Sequence, residues 1–478
     1  MTTLEAPDVK PQTRLAEVLT LQRTAFLRDG PPDLDERRED LKRLIAAIGE
    51  KADAIASAIS ADFGSRSSHE TIVADVWPVV AGARNTVKQL RGWMKPRSVG
   101  VGIELLPGRG RILYQPLGVV GIISPWNYPF QLAVAPLVAA LAAGNRVMLK
   151  PSELTPRTSE FLSEFLAKLF PEEKVATVLG GADVGAAFSS LPFDHLLYTG
   201  STEIGRRVMR AAAENLTPVT LELGGKSPCI IAADANLAAA CRSVAFGKLL
   251  NAGQTCIAPD YALVPKQMLA DFVGGLEAAI RALYPTLRDN PDYTSIINAR
   301  HYARIARLVD EARARGVRIV EINPGGEQLA PDARKFAPTL VIEPPADLAV
   351  MREEIFGPVL PILSYNTLDD AIAFVNARPR PLALYYFGVG TTDRDRVLAR
   401  TTSGGAAVNE TLLHVAAENL PFGGVGASGM GAYHGEAGFR TFSHAKSVFL
   451  QNRINATGLL HPPYGRAADF MRKFLLGR

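Results

Sequence analysis

Residues 251–260, NAGQTCIAPD, hold Cys256, the last of three cysteines, among small and polar neighbours rather than the large apolar ones that surround a packing thiol. A loop thiol beside a donor-rich turn is where a lowered pKa and nucleophilic chemistry become possible. Composition tilts towards that reading and leaves packing open. Cys229 in PCII and Cys241 in AAACRSVAF read as small core residues, the usual state of a free cysteine. LELGGKSP (221–228) sets Glu222 inside an otherwise apolar strand. A carboxylate desolvated there would have a raised pKa and suit general-base work near neutral pH. An outward-facing Glu on an alternating strand fits the same pattern. SPWNYPF (124–130) sets Asn127 between an indole and a Tyr-Pro pair. An Asn amide can donate to a developing oxyanion, although satisfying its own turn is the commoner role.

Two further stretches could hold a nucleotide. YTGSTEIG (198–205) places Gly200, Ser201 and Gly205 at a strand-to-helix junction, where backbone N–H groups and a helix N-terminus can meet a phosphate. Thr202 stands where G-x-G-x-x-G has its second glycine, so the match is partial and a plain structural turn fits as well. LKPSE (149–153) ends a strand. Lys150 and Glu153 there could reach ribose hydroxyls, or be ordinary surface residues after a strand.

The elements that must position these residues alternate. Residues 1–95 read mostly as helix, and the stretch 37–64 carries the three- and four-residue apolar spacing of an amphipathic helix. RSVGVGIELLPGRGRILYQPLG (97–118) reads as a β-hairpin. From residue 118 short apolar strands (GVVGII, RVMLK, VATVLG, HLLYTG) alternate with helices, which implies parallel βαβ units and a doubly wound sheet. A second alternating region spans about 225–427 and contains Cys256. The fold class is therefore α/β.

The totals narrow the function. The chain has 478 residues, 47% of them hydrophobic, and a formal charge of +4. That is enough for two or three globular domains and too mild a charge to name a nucleic-acid partner; EARARGVR (311–318) reads as a solvated helix face. The N-terminus lacks the features of a signal or transit peptide. The longest apolar stretch, 131–144, is interrupted by Pro136 and is too short to span a bilayer. An odd number of cysteines in a large chain points to reduced thiols and a cytoplasmic location.

The ordered set SPWNYP, LKPSE, YTGSTEIG, TLELGGKSP, GQTCIAPDY, EEIFGPVLP and LPFGGVGASGMGAYHG resembles the NAD(P)-dependent aldehyde dehydrogenase superfamily over about residues 20–450. KPSE, GQTCIAPDY and SGMGAYHG resemble its class 3 branch, and the stretch from TLLH to FSHAKSVF resembles the bacterial coniferyl aldehyde dehydrogenases within it. The resemblance implies an activity: oxidation of an aldehyde, of aromatic or apolar type, to the carboxylic acid. Cys256 would be the nucleophile, Asn127 the oxyanion donor and Glu222 the base that activates water. It also implies NAD as cofactor, with NADP accepted. Lys150 and Glu153 would lie at the adenosine ribose, Trp126, Gly200, Ser201 and Gly205 near the pyrophosphate, and Glu354 and Phe356 at the nicotinamide ribose and ring. No metal is implied. The expected architecture is a Rossmann-like cofactor domain (1–96 and 114–224, rejoined by about 428–443), an α/β catalytic domain (225–427), a small β bridging and oligomerisation element (97–113 and 444–452) and a C-terminal tail (453–478) packed on the protein. The expected partners are a small-molecule aldehyde and a second copy of the chain, with no nucleic acid and no membrane. Tyr128, Phe130, Thr411 and His414 are candidates for the substrate entrance, with ordinary packing as the alternative. Two rival activities remain at this level. One is a CoA-acylating relative, which generally lacks a base at the Glu222 position. The other is a non-catalytic structural relative.

Overall fold

The stretch 37–64, expected as one amphipathic helix, forms two. In the computed structural model, which describes residues 11–455, 458 and 461–476, the helices Leu34–Glu50 and Ala52–Phe63 meet at Lys51, whose φ of −108° and ψ of 10° interrupt the helical path. The Asp33 side chain caps the first by accepting from the Glu36 N–H, and left-handed Gly64 ends the second. Their apolar faces, Leu41, Leu44 and Ile48 on one and Ile55, Ile59 and Phe63 on the other, enter the main core.

The predicted hairpin is present as β1 (Arg97–Val99) and β2 (Arg109–Pro116), antiparallel with Arg97 opposite Ile112. A second sheet follows, built from β3 (Val119–Ile123), β4 (Arg146–Lys150), β5 (Val175–Thr177), β6 (His195–Thr199) and β7 (Val219–Glu222). Its strands are parallel and almost entirely buried, as strands covered by helices on both faces must be. The chain builds outward from β3 through β4 to β5, then returns to place β6 and β7 on the other side of β3. The strand order therefore reverses at β3, the topological switch point where α/β sheets bind ligands.

A third sheet contains β8 (Pro228–Ile231), β9 (Tyr261–Pro265), β10 (Arg318–Glu321), β11 (Thr339–Ile342), β12 (Val359–Tyr365), β13 (Ala383–Phe387) and β14 (Gly405–Val408), in the order β10-β11-β12-β9-β8-β13-β14. Only the β10–β11 pair is antiparallel. The glycine-rich stretch then adds the short β15 (Gly429–Met430) to β7 of the second sheet, Gly429 opposite Glu222. A Cβ on Gly429 would lie 2.0 Å from the Leu221 carbonyl oxygen, and φ there is +136°, so only glycine lets the two backbones meet. Finally β16 (Ser443–Leu450) pairs along the whole of β2.

Among the described residues no helix is long and apolar enough to cross a membrane. The tail corrects an expectation. Its helix Arg466–Leu475 does not pack on the protein: Phe470 is 74% exposed, and Tyr464 and Leu476 also face solvent. Among the described residues nothing covers that apolar face. Part of the expected tail, residues 456, 457, 459, 460, 477 and 478, lies outside the described residues.

Candidate active site

The turn leaving β6 borders a cleft, next to β3, where the strand order reverses. After β6, a Cβ on Gly200 would sit 2.3 Å from the Tyr198 hydroxyl, and one on Gly205 would sit 2.7 Å from a Leu223 methyl. Both glycines allow the turn to fold against the sheet. Ser201 caps the helix Thr202–Ala213 by accepting from the Ile204 N–H at 3.4 Å, so the positive end of that helix faces the crevice. Thr202 donates its hydroxyl to the Ala427 carbonyl at 3.3 Å. Beyond β4, Lys150 is buried; its ammonium donates to the Pro151 carbonyl at 3.0 Å and lies 3.4 Å from the Glu153 carboxylate. Glu153 is exposed and acts electrostatically on Tyr198, whose hydroxyl is hydrogen-bonded to Ser201.

The cleft is lined by Thr202, Gly224, Gly225, Glu354 and Ala427, with Arg206 and Arg378 among its cations. Glu354 belongs to a clamped segment. Lys226 donates to the Val350 and Glu353 carbonyls at 2.9 Å each, Arg304 donates to the Glu354 carbonyl at 3.1 Å, and Asp260 accepts from the Ile355 N–H at 2.9 Å. The Gly225 N–H donates to the Glu354 carboxyl, whose Oε1 is buried with no partner. Burial pushes that carboxyl up to about 7, with nearby Asp260 adding to the shift. Phe356, at φ 48°, sets its ring edge-on to Trp126 with centroids 5.3 Å apart. A crevice at a helix N-terminus, a cationic lining and an orphaned carboxylate oxygen fit a dinucleotide.

Cys256 is half-buried in the turn between the helix Leu237–Leu249 and β9. Asn127 reaches the same turn from β3 and donates its amide to the Gln254 carbonyl at 3.1 Å. Its partner is therefore the Cys256 loop, not its own turn. Glu222, at the C-terminal end of β7, is 2% exposed and neither carboxyl oxygen has a hydrogen-bond partner. Burial holds its pKa well above the ordinary carboxylate range. Its charge, when present, acts on Cys256, as does that of Glu354. The expectation of a lowered thiol pKa is overturned. Burial first, then the two carboxylates, push Cys256 up to about 12, and the N–H groups of Cys256 and Ile257 offset only part of this.

Two candidates for the entrance are core residues. Phe130 is fully buried against Phe165, and Thr411 is fully buried with its hydroxyl donating to the Ser243 carbonyl at 2.8 Å. Tyr128 is also buried, its hydroxyl 2.5 Å from that of Thr255. His414 is half-buried beside Tyr385 and Phe422. Sequence reasoning missed Tyr433, which lies within electrostatic reach of Glu222 and Cys256, and Tyr385, whose hydroxyl donates to the Ile257 carbonyl at 2.6 Å. It also missed Lys248, a buried ammonium without a hydrogen-bond partner whose pKa burial lowers to about 8. Lys248 is eight residues before Cys256 on an apolar helix, a signal that was legible. The tyrosines carried none, because their contacts span long sequence distances.

Comparison with known proteins assigns the chain to a family. Residues 24–448 match the family described as the aldehyde dehydrogenase family. A probable coniferyl aldehyde dehydrogenase of Caulobacter vibrioides is 51% identical, with 97% of this chain and 96% of that protein covered. A coniferyl aldehyde dehydrogenase of a Pseudomonas species is 49% identical over the same shares. Among solved structures, the substrate-bound state of Staphylococcus aureus AldH superposes with a TM-score of 0.91 at 38% identity, covering 96% of this chain and 99% of that one.

Proposed function

The chain belongs to the aldehyde dehydrogenase family and oxidises an aldehyde with NAD(P), and we propose that the substrate is an aromatic, conjugated aldehyde of the coniferaldehyde kind and that Cys256, Asn127 and Glu222 carry the reaction. The observation that carries this reading is the meeting, at the switch-point crevice, of a half-buried thiol, a neutral amide donor and an unpartnered carboxyl. Cys256 loses its thiol proton to solvent, and the thiolate sulfur adds to the aldehyde carbon as the C=O π bond opens. The oxyanion that forms takes the Asn127 amide and the Cys256 N–H as donors. NAD held in this cleft would supply the hydride acceptor, so that Cys256 would carry the acyl group as a thioester. Glu222, in its ionised form, takes a proton from water; the hydroxide adds to the thioester, the C–S bond breaks to release the acid, and the proton passes from Glu222 to the Cys256 sulfur. For the cofactor we assign Lys150 and Glu153 to the adenosine ribose, the Gly200–Ser201–Gly205 turn and Trp126 to the pyrophosphate, and Glu354 and Phe356 to the nicotinamide end.

The coniferyl assignment draws on the names of two relatives near 50% identity. The same reading takes the β3–β7 sheet as the cofactor domain, the β8–β14 sheet as the catalytic domain and the β1-β2-β16 sheet as the bridging element. Three unpaired thiols fit a reducing, cytoplasmic setting. We take the working unit to be a homodimer: β14 and β16 are open edges, and β16 exposes Phe449 and Leu450, a surface suited to strand pairing between copies. NADH absorbance across aliphatic, benzylic and cinnamyl aldehydes tests the substrate class; the cinnamyl members should give the highest kcat/KM. A Cys256→Ala enzyme should be inactive on all of them while Cys229→Ala and Cys241→Ala keep most activity. An active Cys256→Ala enzyme removes the mechanism.

A further inference from the structure

We infer that Arg66, with Glu70 and Asp75, is a positioning residue for the oxyanion site: a buried brace that fixes Asn127 and the turn before Cys256 in one frame. The inference rests on the roles proposed above for Asn127 and Cys256.

The Arg66 and Asp75 side chains are wholly buried and that of Glu70 nearly so. The guanidinium lies 2.8 Å from Asp75 and 3.5 Å from Glu70. A buried guanidinium is costly unless paired, and this one is spent on catalytic loops rather than on packing. It donates to the Asn127 carbonyl at 3.2 Å. The Asn251 side-chain amide donates to the same oxygen at 2.8 Å. Both acceptor positions of that carbonyl are thereby used, which fixes the peptide plane from which the Asn127 side chain projects. Asp75 holds the far end of the same loop, accepting from the Phe130 and Gln131 N–H groups at 3.2 and 3.1 Å.

The same cluster reaches the thiol's turn. Asn251, Ala252 and Gly253 are consecutive left-handed residues, with φ of 55°, 51° and 75°. Non-glycine residues hold that conformation only where their surroundings impose it. Glu70 accepts from the Asn251 N–H and from the Thr294 hydroxyl. Asn251 also donates to the Gln254 carbonyl at 3.2 Å, the oxygen that receives the Asn127 amide. The Arg66 guanidinium stacks over Phe63 and Tyr128, 5.2 and 5.0 Å from the ring centroids. The Tyr128 hydroxyl in turn meets Thr255, the neighbour of Cys256. One cation thus ties the β3 loop to the Cys256 loop along two routes, through Asn251 and through Tyr128.

The test is a double-mutant cycle between Arg66→Lys and Asn127→Ala, read as kcat/KM for one aldehyde at saturating NAD. Lysine keeps the charge beside Asp75 and loses the fork that reaches both Asp75 and the Asn127 carbonyl. Arg66→Lys should lower kcat/KM by roughly tenfold or more, part of the ~10²–10³ associated with one oxyanion donor, with NAD affinity unchanged. In the Asn127→Ala background it should cost clearly less than in the native enzyme, because what it does through Asn127 is gone and only its hold on the Cys256 turn remains. Asn251→Gly suits the same left-handed backbone and removes only the side-chain bonds. It should show the same dependence on Asn127, and carries the test if Arg66→Lys fails to fold. A damaged Asn127→Ala enzyme in which these substitutions cost their full factor again overturns the brace alone. A full-rate Asn127→Ala enzyme overturns the oxyanion assignment and the brace with it.

Discussion

The free enzyme should hold Cys256 as a neutral, sluggish thiol, although it is the only cysteine within reach of a reagent. With its pKa pushed to about 12, against an ordinary value of 9, about one molecule in 10⁴ is thiolate at pH 8, where an ordinary thiol would be about one in ten ionised. That is a deficit of about 10³. A more basic thiolate is intrinsically more nucleophilic, and a Brønsted slope of ~0.4–0.5 returns about 20- to 30-fold. Iodoacetamide should therefore alkylate Cys256 roughly 30- to 50-fold more slowly than free cysteine at pH 8. The rate should climb about tenfold per pH unit up to pH 10, because only the thiolate reacts. Glu354 supplies the largest cause after burial and titrates near 7. Its charge opposes the thiolate above pH 7 and is absent below it. Glu354→Gln should accordingly speed alkylation at pH 8 and leave it unchanged near pH 5.5. Peptide mass spectrometry after timed quenching gives the rates site by site. Cys229 and Cys241, fully buried with pKa values also raised by burial, should label only on unfolding. An alkylation rate that levels off below pH 9, or a Glu354→Gln enzyme that reacts more slowly at pH 8, would refute the reasoning.

Glu222→Gln should cut steady-state turnover by roughly 10²-fold or more, and a burst of one NADH per site would place the loss after hydride transfer. Because the buried Glu222 carboxyl is held well above its usual pKa, its basic form fills only as pH rises. Turnover of the native enzyme should climb from pH 6 into the alkaline range, and stopped-flow absorbance would show whether that limb follows deacylation. Glu153→Ser should raise efficiency with NADP and lower it with NAD, because a carboxylate accepts from both ribose hydroxyls and repels a 2′-phosphate; an unmoved NAD/NADP ratio at constant ionic strength would detach Glu153 from the ribose. Replacing Phe449 and Leu450 of β16 together by lysine should give a monomer where the native chain gives the proposed dimer in light scattering, whereas an unchanged dimer mass would move the interface elsewhere.

The sequence alone determined the alternating α/β plan, because parallel buried strands must be short apolar runs separated by helices, and VVGII, RVMLK and HLLYT are such runs. It singled out Cys256 by its small, polar neighbours and Glu222 by a carboxylate in an apolar strand. It marked the Gly200–Gly205 turn as a phosphate candidate. What it left open at each residue was the partner, since no local pattern states which distant group a side chain will meet. Asn127 could have closed its own turn; the fold instead carries it to the Gln254 carbonyl, 127 residues away. Phe130 and Thr411 looked like entrance residues and became core, because burial depends on what packs over a loop rather than on the loop's composition. The thiol's pKa went the opposite way to expectation. A polar-looking turn suggested donors, whereas the assembled site surrounds the sulfur with low-dielectric protein and two carboxylates drawn from other strands and loops. Arg66 shows the limit most plainly. Nothing in GSRSS marks it, and only the docking of its segment against the loops after β3 and before β9 makes it a buried charge between the Asn127 and Cys256 loops. Strand and helix periods act over a few residues and survive in the sequence; electrostatics and desolvation act through space and exist only once the sheets have met.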